Sequence, residues 1–471
     1  MATQEEVVTR VPKAATGKHD NEKMALKEKV SYGLGDVASN LIYTVITTYL
    51  TFYFTDVFGL GAAAVGTMML VVRFVDMIDS PIFGVLIDRT NTKWGKSRPW
   101  ILWFCIPFAL SSMLLFMGPD LSESGKLVYA YIFYIASSVL YAAVNNPLTT
   151  MLSSMSNNVQ ERTVANIFRM VGGQIGGLIV NLSLLPLVAF FGNGNQQQGF
   201  FYTMTLFSSV GVIMFLVTFW NTRERVQGVA GNEGVPLKDG LKAIKGNKPW
   251  VIVSLLGLVF FMMYIIKLSA GIYYITYNLG QQELVPTVNT LGMMTLVGML
   301  AVPFLTKKYS KRALVIAGMV INIAGMLVIW AGGDQIGFIL AGTVISAIGL
   351  GLPGGLIFTL MADTVDYGEW KSGIRSQGLL VSAAGIGIKL GSGLGGAIPA
   401  WMLAAGGYVP NQEQTAAALT AITTSYIWLP VLFSVLAIVI MFFYKFEKPH
   451  DEIIAELEYR RAQSQKRRKS L

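Results

Sequence analysis

Charge is scarce in this 471-residue chain, cysteine and histidine are nearly missing, and no interior polar stretch is long enough to form a domain. Charged residues make up 13% against the roughly 25% of ordinary soluble domains, while hydrophobic residues make up 53% and the mean hydropathy is +0.54. That balance excludes a soluble globular protein. The single cysteine, Cys105, falls in an apolar run, which removes a disulfide framework and a thiolate metal site. The histidines, His19 and His450, lie in opposite polar tails, so no histidine-based metal centre is expected, and nothing calls for a cofactor. The first thirty residues lack the apolar core of a signal peptide and read as a polar tail. With no nucleophile and base pair in view, an enzyme is not expected.

What is present is a series of apolar runs near twenty residues long, the length that crosses a bilayer. They fall near 31–55, 61–87, 99–118, 127–152, 165–191, 199–221, 249–279, 284–305, 312–331, 336–361, 378–405 and 417–444. The fold class is therefore an all-α membrane protein of twelve transmembrane helices. The net charge of +9 does not point to nucleic acid, because it is confined to alternate loops. Arg89, Lys93, Lys96 and Arg98 separate spans two and three, Arg223 to Lys248 separate six and seven, and Lys307 to Arg312 separate eight and nine. The intervening loops carry almost no cations, Lys126 being the exception. This asymmetry places both termini in the cytoplasm of a multi-pass cell-membrane protein.

The expected organisation is a tail over 1–30, a six-span unit over 31–221, a polar loop over 222–248, a second six-span unit over 249–445 and a basic tail over 446–471. A helix from Leu237 to Lys245 in the middle loop puts Lys238, Lys242 and Lys245 on one side, suited either to the anionic inner membrane surface or to solvent. Spans four and ten, counterparts in the two units, carry Asn145-Asn146-Pro147 and Pro353, a trace of an internal repeat and a pointer to a translocation path. Two GxGxxG runs, Gly349 to Gly354 and Gly391 to Gly396, lie inside spans and mark close helix packing instead of a nucleotide fold. The same holds for Gly172, Gly173, Gly176 and Gly177. Asn181-Leu182-Ser183 is a glycosylation sequence in form only, being inside span five.

Charges within the spans carry the functional signal. Arg73, Asp76 and Asp79 interrupt span two, each at a cost of roughly 2.5–3.5 kcal/mol near its centre. They recur at i, i+3 and i+6 and share a helix face, with Asp76 about 22 Å along the helix from Gly61. At that depth desolvation favours the neutral carboxyl and a cation such as Arg73 favours the ionised one, a balance suited to carrying a proton. Asp76, Asp79 and Ser80 also offer oxygens to a hard cation. A pair that only holds two helices together is the structural alternative. Asp36, Asn40 and Tyr43 in span one, Asn145 and Thr149 in span four, Arg169 in span five, Lys267 in span seven and Lys389 in span eleven add polar groups that must face an interior cavity. A neutral polyol fits that inventory, and the cations alone would suit an anion. Asp88, Arg89, Arg162, Asp363, Asp366, Glu369 and Arg375 gather at the basic ends of spans, where ion pairs would latch one conformation.

YGLGD from Tyr32, YFTDVFGL from Tyr53, VDMIDSP from Val75, DRTNTKWGKSRPW from Asp88, DTVDYGEW from Asp363 and GYVPN from Gly407 occur in this order across the membrane region. In them the chain resembles the glycoside, pentoside and hexuronide cation symporters of the major facilitator superfamily. The resemblance implies two pseudo-symmetric six-helix bundles, a central sugar site and uptake coupled to H+ or Na+ by alternating access. It implies a cation site at Asp76, with Ser80 where the family has a second aspartate, and sugar contacts from Asn40, Asn145, Arg169 and Lys389, with asparagine at two positions that are acidic in relatives. Loss of one carboxylate favours H+ over Na+, and the asparagines favour a pentoside or another glycoside over melibiose. Cation coupling is thus expected from Asp76, Asp79, Ser80, Arg73 and Asp36, and substrate binding from Asn40, Tyr43, Asn145, Thr149, Arg169, Lys267 and Lys389. The alternatives are a sugar exchanger and a lysolipid transporter of the same fold, the latter disfavoured by so polar a cavity.

Overall fold

The computed structural model describes residues 23–156, 158–225, 246–373 and 377–445, with 452–453, 455–457 and 459–460. Among the described residues twelve long helical elements follow one another. They are α1 (Leu26–Phe52), α2 (Ala62–Arg89), α3 (Arg98–Leu115), α4 (Glu123–Met155), α5 (Val159–Gly192) and α6 (Gln196–Asn221), then α7 (Lys248–Asn278), α8 (Gln282–Leu305), α9 (Lys311–Gly332), α10 (Ile336–Ser372), α11 (Gln377–Ala405) and α12 (Ala416–Phe442). Nine are long and apolar enough to cross a membrane; α2, with three charges near its middle, is not among them. Helices meet the demand that every backbone group in hydrocarbon be satisfied within its own segment. Their starts are closed by short polar side chains: Asn158 accepts from the amides of Gln160 and Glu161, Asn247 from Trp250, and Ser310 from Ala313.

The outer faces are apolar, with Leu300 71% and Phe304 73% exposed, as befits a lipid-facing surface. Inside, the glycine pairs set the spacing. A Cβ on Gly172 would lie 2.3 Å from the Gly33 carbonyl oxygen and one on Gly176 2.7 Å from that of Val37, so α1 and α5 touch backbone to backbone. Gly349 approaches the Asn322 amide to 2.7 Å and Gly391 the Leu258 carbonyl to 2.3 Å by the same measure, which makes both GxGxxG runs packing surfaces. The first six helices pack mainly with one another, as do the last six; α2 with α11, α5 with α8 and α1 with α7 join the two sets.

Three local features depart from the sequence reading. Pro147 and Pro353 sit inside α4 and α10, which continue through them, so the prolines remove a hydrogen bond without ending a span. By contrast α8, read as one run, tightens midway: between Val285–Gly292 and Thr295–Leu305 the amides of Met293 and Met294 bond to the Thr290 and Leu291 carbonyls, three residues back instead of four. Finally, α1 and α7 each finish in a five-residue π-helical turn, Tyr53–Val57 and Tyr274–Asn278, at the far face, opposite the basic loops. The middle-loop helix expected from Leu237 lies outside the described residues.

Candidate functional site

On α2 the three-residue spacing stacks Arg73 over Asp76, and Arg73 Nη1 donates to Asp76 Oδ2 at 2.8 Å. Ser138 of α4 donates to the other carboxylate oxygen. The second half of the chain reaches the same point: Lys389 of α11 donates to the backbone carbonyl of Asp76 and stands 3.8 Å from Asp79 Oδ1. Gly393, one turn along α11, permits this, since a Cβ there would lie 2.7 Å from Arg73 Cγ. Asp76 and Asp79 are buried. Lys389, expected among the sugar contacts, thus lies against α2, on the Asp76 backbone carbonyl and beside the Asp79 carboxylate. The side chain of Ser80 lies outside the described set.

A second cluster forms where α1, α4 and α5 meet. Asp36 and Asn40, one turn apart, both face the bare backbone of α5 at Gly173, where a Cβ would be 2.9 Å from Asp36 Oδ2 and 3.1 Å from Asn40 Nδ2. Asn40 Nδ2 donates to the Asp36 carbonyl at 2.9 Å. One turn before Gly173, Arg169 donates to Thr149 Oγ1 at 2.8 Å and lies within electrostatic reach of Asp36. Thr149 in turn donates to the Asn145 carbonyl at 3.0 Å. Asp36, expected for cation coupling, therefore falls with the sugar candidates Asn40, Asn145, Thr149 and Arg169.

Tyr141 and Tyr43 join the clusters. Their rings stack at 4.2 Å with an interplanar angle of 11°. Tyr43 lies beside Arg73, and Tyr141 is within electrostatic reach of Arg73, Asp36 and Arg169 together. Tyr141 and Ser138 were not singled out from sequence, although Tyr141 precedes Asn145 by one helical turn and shares its face. Stacked phenols between a charged pair and a polar cluster offer a flat surface for a sugar ring and hydroxyls for its edges.

Lys267 stands apart. Its ammonium donates to Ser346 Oγ of α10 at 2.5 Å, within the second half. It lines a cavity of about 300 Å³ together with Gln174 and Asn181 of α5 and residues of α7, α8, α10 and α12.

Of the basic-end charges, Asp363 accepts from Lys311 at 2.6 Å, which ties α10 to α9 in the same half. Arg162 is half-buried in the first turn of α5, Arg89 is exposed at the end of α2, and Asp366 and Glu369 follow Asp363 along α10. Arg375 and the side chain of Asp88 lie outside the described residues. The named pairs Lys29 with Glu161 (2.7 Å) and Arg225 with Glu28 (2.8 Å) also stay within one half. Glu224 accepts from the backbone amides of Lys96, Ser97 and Arg98 at 2.8–3.0 Å, closing the start of α3. Gly95, at φ +107°, leaves the room that this carboxylate needs.

The far face holds a cluster that the sequence reading did not single out. Asp56, in the π turn of α1, accepts from Thr55 Oγ1 at 2.6 Å and from the phenols of Tyr277 and Tyr408. Asn411 donates to the Asp56 backbone carbonyl at 2.7 Å, and Thr55 pairs with Tyr273 at 2.6 Å. Asp56 and Tyr277 occupy the same place, the fourth, in the two π turns. Its sequence signals were the YFTDVFGL and GYVPN segments, the second of which holds Tyr408 and Asn411.

A helical bundle with charged carboxylates and cations meeting at mid-depth between two sets of six helices is the architecture of a membrane carrier. The family model for MFS/sugar transport proteins matches residues 31–448. This chain belongs to that family. The transporter is 40% identical to the isoprimeverose transporter of Lactiplantibacillus pentosus, over 93% of this chain and 92% of that one. It is 30% identical to the glucuronide carrier protein homolog of Escherichia coli strain K12, over 94% and 97% of the two chains. In fold it is similar to a D-xylose-proton symporter, at a TM-score of 0.66 with 14% identity, over 90% of this chain and 98% of that chain. The protein is a multi-pass membrane transporter and not an enzyme, in keeping with the sequence reading.

Proposed function

We propose that this transporter is a glycoside or pentoside symporter driven by H+, seated in the cell membrane with its basic face and both termini in the cytoplasm. The observation that carries the coupling is the double contact on Asp76: its own half supplies Arg73 and Ser138, the other half supplies Lys389. Both carboxylate oxygens are already held, one by a cation and one by a hydroxyl, which suits a proton better than a metal ion needing several free oxygens. Protonation of Asp76 releases Arg73, and through Tyr43 and Tyr141 that change reaches Asp36 and Arg169, where the sugar binds. The Asp56 cluster ties α1 to α7 and to the loop after α11, which keeps the far side shut while the sugar site communicates with the basic face.

The test is Asp76→Asn in reconstituted vesicles. Accumulation of sugar against its gradient is lost in this variant, while exchange of labelled for unlabelled sugar continues. Undiminished proton-driven accumulation overturns the coupling role of Asp76, and wild-type accumulation driven by a sodium gradient alone overturns the choice of ion.

A further inference from the structure

At the far face a crevice of about 360 Å³ lies between the end of α5 and the start of α8, one of the places where the two halves meet. Its interior is apolar: Leu185, Val188, Phe200 and Pro286 line it, and Val188 and Phe200 are buried. Leu182, Pro186, Ala189 and Phe190 share one face of α5 and are exposed, so the α5 wall of the crevice continues a stripe that faces lipid. An apolar cavity stays dry and takes apolar guests. The fluid at this mouth is hydrocarbon, and a phospholipid acyl chain is the apolar body within reach.

The rim is polar, and it is the independent observation. Gln196 in the first turn of α6, with Gln282 and Glu283 in the first turn of α8, line the same crevice. Leu185 lies about two helical turns, roughly 10 Å, inside the last residue of α5, Gly192, which sets the three polar residues at headgroup level and the apolar wall beside the upper acyl chain. Among the described residues none of these three side chains has a hydrogen-bond or ion-pair partner, and Gln196 and Glu283 are exposed. Two amides beside one carboxylate complement a zwitterion: the amide N–H groups meet a phosphate and the carboxylate meets an ammonium. The carboxylate also selects among headgroups, because a primary ammonium offers it N–H donors and a quaternary one offers none.

We propose that this crevice is a phospholipid site in the far-face leaflet, with an acyl chain against Val188 and Phe200 and a primary-ammonium headgroup on Glu283. The first turn of α8 also touches the π turn that ends α7 at Asn278, so a lipid seated there braces the closed far face. That consequence rests on the closure reading of Asp56; the site itself does not.

Native mass spectrometry tests it, on the full chain released from vesicles of equimolar phosphatidylethanolamine, phosphatidylcholine and phosphatidylglycerol with matched acyl chains. The wild-type chain retains phosphatidylethanolamine over phosphatidylcholine by about tenfold, the size of one hydrogen bond to a charged group. Glu283→Gln brings that ratio within about twofold, and Glu283→Lys turns the preference to phosphatidylglycerol. Ala189→Trp, which fills the crevice from its lipid-facing side, loses the retained lipid whatever its headgroup. Glu283 is exposed, so its variants keep the fold and carry the test even where Ala189→Trp does not fold. An unchanged ratio in both Glu283 variants overturns the site, as does full retention of the lipid by Ala189→Trp. Equal retention of the three lipids by the wild-type chain, or phosphatidylglycerol retained first, overturns it as well.

Discussion

Asp76 and Asp56 are equally buried, at 7% and 6% exposure, and each receives hydrogen bonds from both halves of the chain, but their partners differ in kind. Asp76 is held by two cations, Arg73 through its carboxylate and Lys389 through its backbone, with Ser138 as the one hydroxyl. Around Asp56 every partner among the described residues is neutral: Thr55, Tyr277, Tyr408 and Asn411. A carboxylate balanced against cations changes its partners when a proton arrives, because removing its charge frees the cation to turn elsewhere. A carboxylate caged by hydroxyls has no such exchange to make. On the proposed reading it works as a clasp, held by the three hydroxyls of Thr55, Tyr277 and Tyr408. On the proposed reading, energy coupling belongs to the middle of the molecule and conformational closure to its far face.

The largest expected effect separates the two aspartates directly. Asp76→Asn abolishes uphill accumulation and leaves the far face closed, whereas Asp56→Asn opens the far face; hydrogen–deuterium exchange across 53–60 and 408–412 rises only in the latter. Equal exchange changes in both variants would erase the division of labour. Next in size, Tyr408→Phe removes one of the hydroxyls on Asp56 and shifts the closed population by about ten- to 150-fold, the equivalent of one charge-assisted hydrogen bond. The same peptides report it, and a shift as large as that of Asp56→Asn would mean that Tyr408 alone is the clasp. Smallest is Ser138→Ala, which takes one neutral donor from Asp76 but leaves Arg73 in place; the sugar concentration for half-maximal uptake changes by less than about fivefold, and a collapse of accumulation would show that Ser138, and not the cation, governs the carboxylate.

The readability of these regions in the sequence follows from their position. Asp76 was visible because a charge inside an apolar run has no ordinary explanation. Asp56 ends a span, where charges are common, and its partners Tyr277, Tyr408 and Asn411 are separated from it by 221 to 355 residues. The glycine-rich runs announced close packing, and the backbone contacts of Gly172 and Gly391 agree with that reading. Lys389 was expected among the sugar contacts, and that it reaches the Asp76 carbonyl and stands 3.8 Å from Asp79 Oδ1 could not be read from its type, since residue type cannot tell which neighbouring helix a side chain will meet. The tightened turn in α8 had no signal, because no proline or charge marks Met293 and Met294.

Composition and spacing by themselves determined that this chain is a helical membrane protein with ionisable groups in its second span, because the cost of burying charge in hydrocarbon leaves a mark in any linear sequence. Which groups surround Asp76 and which surround Asp56 was decided by the meeting of α2 with α11 and of α1 with α7. Hydrogen bonds form between groups that the fold brings within about 3 Å, whatever their distance along the chain, and only the tertiary structure sets that distance.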